Sequence, residues 1–386
     1  MGMFYAAATF HGSFAEGLFD QLDDALMEAF KAVTGIVIDS HDLLVQIQSP
    51  TEDRGFGIFP YGMMHKLFLR RAHERAIPFI SGKLGMETLK MPVSGEGGVM
   101  AAWKKAVMVA KLKPEGMKHP SLRTCFLRTP PTNMYNRLAD EHFETGCRIL
   151  AKRLKPKKYV CQHADTMNLH LESLTPEKYT DHILTCNHCG ALQFVYRHER
   201  VNNVIHRILK FSGVTSVLNP KGLPLPDKTK GGADLTVMTM GKTQAVDVAI
   251  TKNDSDFTVE SKLKRIEMVK FRNYERFKRV TGFDIVPFVM SVYGEHGECA
   301  RNAAKEWALM SASTTTFIDI LTFTQHELIR GIHNGLEMLH ARVQAPVDRD
   351  AAAPIVDPEA GDVARITGED REVDGDTRAG CPDGEA

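Results

Sequence analysis

The sequence predicts an α+β protein: a mostly helical first part, then a small sheet held between helices. Apolar residues recur at helical spacing in the first 150 residues, as from Phe19 to Val33. Between Gly231 and Lys252, two runs alternating with period two flank a glycine turn. From residue 346 onward the chain is rich in Ala, Pro, Gly and Asp and too poor in apolar surface to fold. The segments expected are 1–150, helical; 151–195, basic with clustered cysteine and histidine; 196–312, the strand-bearing core; 313–345, a C-terminal helix; and 346–386, a disordered acidic tail.

Composition bounds the function classes. At 386 residues, 43% hydrophobic and 25% charged, the chain reads as an ordinary globular protein of two or three domains with ample core. No run of eighteen apolar residues appears, and the start MGMFYAAATFHGSFAEG lacks the basic opening and long apolar stretch of a secretory signal. Cytoplasm or nucleus is expected, with no membrane partner. Seven cysteines, an odd number, fit a reduced compartment in which thiols are free or metal-bound. The net charge of zero hides an asymmetry: the stretch from Asp348 onward carries −8, and the body before it +8.

Along the chain, Phe19, Leu22, Leu26, Phe30 and Val33 make one stripe of an amphipathic helix. Asp23 and Asp24 lie on its polar side, outside the strand-turn-strand setting that a polymerase aspartate pair needs. No other Asp-Asp occurs, so the chain holds no polymerase active site. Lys152 to Lys158 (KRLKPKK) is the densest basic run; Lys155, Lys157 and Lys158 suit phosphate contact, with a solvated linker or a nuclear-import signal as alternatives. Next comes the cluster Cys161, His163, His170, His182, Cys186, His188 and Cys189. Zinc takes four such ligands, usually as two close pairs, and His182 with Cys186, or Cys186 with Cys189, supplies one. Cys161 and His163 are the candidates for the other, against a reading as core cysteines and surface histidines.

Arg200 to Phe211 has helical spacing, with Arg197, His198 and Glu199 at its opening. Arg197 and His198 are candidates for a phosphate or a metal, while Glu199 suits the helix dipole. A β-prone run, Val214 to Leu218, follows. The hairpin then sets Asp234 at the mouth of one strand and Asp247 inside the next. An ionised carboxylate within a Val/Ile strand is costly unless paired or metal-bound, so the two acids are candidate Mg²⁺ or Mn²⁺ ligands. A strand with one face in water is the alternative. Val259 to Arg279 is helical, with eight Lys/Arg against three Glu, and Lys262, Arg265 and Arg272 are candidates for a polyanion. The run Ile285–Tyr293, the helical ECARNAAKEWALM, and a helix with Leu328, Ile332, Leu336 and Leu339 on one stripe complete the chain. His326, His333 and His340 recur by sevens and read as partly exposed histidines.

The order helix, three strands, helix, strand, helix resembles the restriction-endonuclease-like fold, whose signature is an aspartate, a spacer, a second acid and a lysine two residues later. Strand alternation puts residue 249 on the face of Asp247, and Ala249 stands there; Lys252, at an odd offset, would point to the other face. A lysine from the next helix would substitute: Lys270, with Lys264 second. HILTC, RHERV, ADLTVMTMGKTQAVDV with twelve residues between the acids, KFRNY and FVMSVYGEHG form an ordered series similar to the C-terminal part of site-specific non-long-terminal-repeat retrotransposon proteins, where a zinc knuckle precedes such an endonuclease. Gly55–Ile58 and the following MMHKLFLRRAHERAIPFI resemble the segment after their polymerase palm. Ala233 replaces the usual proline and Asn273 a usual lysine. The resemblance implies a metal-dependent nick in target DNA, in the nucleus, with DNA or the parent element's RNA as partner and a reverse transcriptase domain in cis or trans. A non-catalytic nucleic-acid-binding remnant and an adaptor protein are the rival expectations.

Overall fold

The computed structural model describes residues 16–51, 54–62, 64, 124–128, 138–161, 169–224, 232–251, 259–312 and 315–344. In chain order these form α1 (Glu16–Thr34), α2 (His41–Gln48), α3 (Cys125–Arg128), α4 (Asp140–Leu150), β1 (Val160–Cys161), β2 (Leu169–His170), α5 (Pro176–Thr185) and α6 (Asn187–Phe211). Then come β3 (Ser216–Leu218), β4 (Leu235–Thr239), β5 (Lys242–Thr251), α7 (Val259–Asn273), α8 (Glu275–Thr281), β6 (Asp284–Ser291), α9 (Glu298–Met310) and α10 (Phe317–Gln344). The protein is mixed α+β. Lys252, the helical reading beyond Met64 and the acidic tail fall outside the described residues.

Local sequence explains most element ends. Ser40 caps α2 by accepting from the Leu43 amide, and Thr175 does the same for Lys178 at the start of α5, where Pro176 occupies the first turn. Gly241 turns the β4–β5 hairpin at φ 75°, and Gly282 closes α8 in the left-handed region at φ 74°, both conformations that glycine adopts without steric cost.

The larger sheet runs β3-β4-β5-β6; β3/β4 and β4/β5 are antiparallel and β5/β6 parallel. Its two faces are covered differently. Leu235, Val237, Val246, Val248 and Phe288 share a core with Val201, Ile205 and Leu209 of α6 and with Ala304 and Trp307 of α9. Trp307 donates to Gln244 Oε1 at 2.8 Å and stacks on Phe288. The alternate residues of β5 face the other way: Ala245 meets Tyr274 and Phe277, and Ala249 packs with Leu263 and Ile266. The sheet therefore lies between an α6/α9/α10 layer and an α7/α8 layer, and Asp247, between Ala245 and Ala249, belongs to the α7 side.

Helix α10 lies along α6. Leu328, Ile332, Leu336 and Leu339 are buried as their stripe predicts. A Cβ at Gly331 would lie 3.1 Å from Arg197 Cα, so glycine sets how closely the two helices approach. Phe30, Ile36, Ile47 and Phe126 form a separate apolar cluster of the N-terminal part. Arg54 and Glu295 form a buried pair at 3.3 Å, joining that part to the turn after β6.

Three expectations change. α6 begins at Asn187, because the helical pattern runs back through Tyr196, Val195 and Leu192 to the Cys186 elbow; Arg197 to Glu199 are mid-helix, far from a helix start, and the 195/196 boundary falls within one helix. Val33 closes the α1 stripe yet is 59% exposed. His326 is buried at 2% instead of partly exposed. Among the described residues, no helix is long and apolar enough to cross a membrane.

Candidate metal and carboxylate sites

Leu235 pairs with Val246, and the Asp234 amide also donates to the Val246 carbonyl at 2.9 Å, so Asp234 stands at the end of the β4–β5 pairing, close to Asp247. Asp234 is fixed at the mouth of β4 by an unusual contact for a loop acid: its Oδ2 accepts from the Val248 amide at 2.8 Å. Asp247 is 6% exposed inside β5. Burial raises its pKa; the charge of Lys270 works against this, the charge of Asp234 adds to it, and the net direction is up.

The lysine comes from α7. Lys270 Nζ lies 2.9 Å from both Asp247 oxygens. Leu263, Glu267, Lys270 and Tyr274 follow one another at four, three and four residues, and this stripe faces the sheet. Tyr274, 1% exposed, hydrogen-bonds Asp247, and burial together with both carboxylate charges pushes its phenol pKa up. Tyr274 is the functional candidate that sequence reasoning passed over, although its place four residues after Lys270 was a visible signal. Lys264 does not reach the site: six residues from Lys270 is about 240° around the helix, and it is exposed. Glu267 caps α9, its Oε1 accepting from the Cys299 amide at 2.9 Å.

His198 joins this group from the opposite layer. Its Nε2 lies 3.1 Å from the Val248 carbonyl and 3.3 Å from Asp234 Oδ2. Burial alone would lower its pKa, but Asp234, the Val248 carbonyl and Asp247 outweigh it and the net shift is upward. The expectation that Arg197 contacts nucleic acid is corrected by its burial, while His198, expected at a phosphate or a metal, stands partly exposed beside Asp234. Arg197 is wholly buried between α6 and α10, where desolvation brings its pKa down to about 9.

The second site sits at the α5–α6 elbow. Cys161 ends β1, His182 lies in the last turn of α5, Cys186 is the elbow itself and Cys189 stands in the first turn of α6. Their ligand atoms all lie within 4.8 Å of one another. Cys161 Sγ and Cys186 Sγ are 3.7 Å apart, and Cys189 Sγ is 3.5 Å from His182 Nε2. A tetrahedron with bonds of about 2.3 Å to sulfur and 2.0–2.1 Å to nitrogen has edges of about 3.8 and 3.5 Å, so this cluster fits a metal such as zinc. The Cys186 thiol, burial and the Cys161 thiol drive the Cys189 pKa far up. His163 lies outside the described residues, and His170 is exposed and paired with Glu172.

The basic residues divide between two surfaces. Lys264, Arg265 and Arg272 are exposed on α7, and Lys262 is partly so. Lys155, Lys157 and Lys158 are exposed beyond the other layer; Lys155 is 3.6 Å from Glu144, and Lys157 is 3.5 Å from Glu337 and 2.6 Å from His340. No protein-family profile matches the chain, and no curated protein matches it.

Proposed function

We propose that this chain is a divalent-metal-dependent DNA endonuclease of retrotransposon origin, built on a restriction-endonuclease-like core. The observation that carries the reading is the convergence of Asp234, Asp247 and Lys270, drawn from β4, β5 and α7, on one end of the sheet. Two carboxylates and the Val248 carbonyl form a hard oxygen set suited to Mg²⁺ or Mn²⁺. Such an ion lowers the pKa of a bound water and offsets charge on a scissile phosphate.

The chain's own residues supply the rest. The Val248 amide and His198 hold Asp234 in place, and the Tyr274 hydroxyl does so for Asp247. Lys270 brings a positive charge from the helix, in place of the strand position where Ala249 stands, and would offset charge on the phosphoryl oxygens. The exposed bases of α7 give the strand a track, and a zinc ion at Cys161, His182, Cys186 and Cys189 would fix the elbow from which α6 carries His198. On this reading the partners are DNA or the RNA of the parent element, with a reverse transcriptase domain in cis or trans, and the site of action is the nucleus.

The test is nicking of supercoiled plasmid carrying candidate target sequence, with Mg²⁺ or Mn²⁺, for the full chain and for Asp247→Ala. Metal-dependent nicking abolished by EDTA and by the substitution is the expected result; equal inactivity of both proteins defeats it. A second reading, a catalytically silent nucleic-acid-binding remnant, is favoured by one observation: Lys270 engages both Asp247 oxygens, the atoms that a metal would need. It predicts binding with steep salt dependence and no nicking.

A further inference from the structure

We propose that the outward face of α7 binds single-stranded nucleic acid, with Phe271 and Met268 carrying unstacked bases and the neighbouring Lys and Arg carrying the phosphates. This goes beyond the endonuclease reading and does not require that the carboxylates cut. Helix α7 has apolar residues on both faces. Its inner stripe buries Leu263 and Tyr274, at 3% and 1% exposure, while Met268, Val269 and Phe271 stand 47%, 43% and 38% exposed. A helix packed on a sheet keeps its core-facing residues to one stripe, so the outer three are not used by the core, and together they mark an interaction surface.

With Lys270 taken as the inward direction, Phe271, Lys264, Met268, Arg272 and Arg265 fall at about 100°, 120°, 160°, 200° and 220° around the helix axis. Apolar and basic side chains therefore interleave on the outward half, and all five are exposed. The charge selects the class of partner. Val259 to Arg279 carries eight Lys/Arg against three Glu, and one of the three, Glu267, is turned inward to cap α9. Such a face attracts a polyanion. The apolar members decide which one. A duplex turns its phosphates outward and stacks its bases on one another, so a ring and a thioether gain nothing from it. A single strand exposes the flat faces of its bases, which stack on aromatic side chains whatever the sequence. Guanidinium groups beside the ring add cation–π contact. Phe271 directly follows Lys270, so the ring stands beside the stripe that reaches Asp247.

The experiment measures binding of three fluorescein-labelled oligonucleotides, a single DNA strand, the same sequence as RNA, and the DNA duplex, to the zinc-loaded full chain by fluorescence anisotropy without added Mg²⁺ or Mn²⁺. The proteins are wild type, Phe271→Ala, Phe271→Leu and Phe271→Trp, each checked for folding by circular dichroism. The expected result is a loss of about 5- to 100-fold in single-strand affinity for Phe271→Ala, with duplex affinity changed by less than about twofold. Phe271→Leu, which keeps bulk without a ring, should stay weak. Phe271→Trp should restore affinity, and its indole fluorescence should be quenched as bases stack on it. A loss confined to DNA or to RNA keeps the proposal and names the strand. Equal weakening of single strand and duplex, or no weakening of either, overturns it, as does full rescue by Phe271→Leu, which would make the surface a plain apolar docking face. Binding to phosphatidylserine vesicles with none to any oligonucleotide would give the face to a membrane and overturn the proposal as well. Selective loss in Phe271→Ala beside a wild type that nicks no plasmid leaves this surface standing and defeats the endonuclease reading; nicking without that loss does the reverse.

Discussion

Lys270 Nζ is 2.9 Å from Asp247 Oδ1 and 2.9 Å from Oδ2, although the two residues lie 23 positions apart on a helix and on the strand beneath it. The lysine is the charge that makes a carboxylate tolerable between Val246 and Val248. Lys270→Met leaves a buried acid that can escape its cost only by taking up a proton. A stability loss of about 1–3 kcal/mol in urea denaturation at pH 7 is expected. Nicking should fall at least about 100-fold, as when an electrostatic partner of a transition state is removed. The double variant Asp247→Asn with Lys270→Met should be more stable than Lys270→Met alone, and Lys264→Ala, an exposed base away from the acids, should keep wild-type stability.

The sulfur and nitrogen separations of 3.7 and 3.5 Å at the α5–α6 elbow lead to a second expectation. Purified protein should carry one zinc per chain by elemental analysis. Cys186→Ser or Cys189→Ser should abolish that stoichiometry and lower the melting temperature, because metal affinity is folding free energy for a site that the unfolded chain lacks. His163→Ala should keep the metal, since four ligands are present without it. Retained zinc in Cys189→Ser would exclude the four-ligand assignment.

The contrast between these two sites shows what the sequence exposes. The hairpin, both acids and the helical lysine were legible, because period-two and period-3.6 patterns are local and strand alternation itself excluded Ala249. Choosing Lys270 over Lys264 was legible as well: Leu263, Glu267, Lys270 and Tyr274 share a stripe that Lys264 leaves. The burial of Arg197 was not. An arginine on a helix reads as a surface feature until Gly331, more than a hundred residues away, brings α10 over Arg197. Long-range packing of that kind leaves no periodic trace near the residues it buries. The elbow was legible only in part, since the spacing Cys186–Cys189 marks a pair while its partner Cys161 is brought in by the short β1–β2 hairpin.

Acid should destabilise the fold through its buried histidines. Burial, reinforced by the Arg330 charge, holds the His326 pKa at about 4, below its ordinary value of 6.5. The unfolded chain then takes up the proton below about pH 6.5 and the folded chain does so only near pH 4, so stability is full above 6.5 and falls as the pH drops through that window. At pH 5 the loss from this one group is about 2 kcal/mol. His326→Gln should lose correspondingly less between pH 7.5 and 5.0 in urea denaturation. A residual decline should remain from His296, which is wholly buried and held near 3. Identical pH slopes for wild type and His326→Gln would refute the assignment.

The basic residues on the two sides of the sheet offer two candidate phosphate surfaces. Arg265 and Arg272 are seven residues apart on α7, hence on one outward stripe of the helix whose inner stripe carries Lys270. A strand lying along that stripe would release about 0.9 counterion for each phosphate neutralised, so Arg265→Ala with Arg272→Ala should reduce the salt slope of duplex binding by about 1.8. Binding should weaken for all sequences alike, because guanidinium–phosphate contacts carry no base information. Lys157 is already engaged by Glu337 and His340 on the far side of the sheet, so Lys157→Ala should leave the slope unchanged. Fluorescence anisotropy between 50 and 200 mM salt measures both. A slope that drops for Lys157→Ala but holds for the arginine pair would move the nucleic-acid track from α7 to the basic run before Cys161.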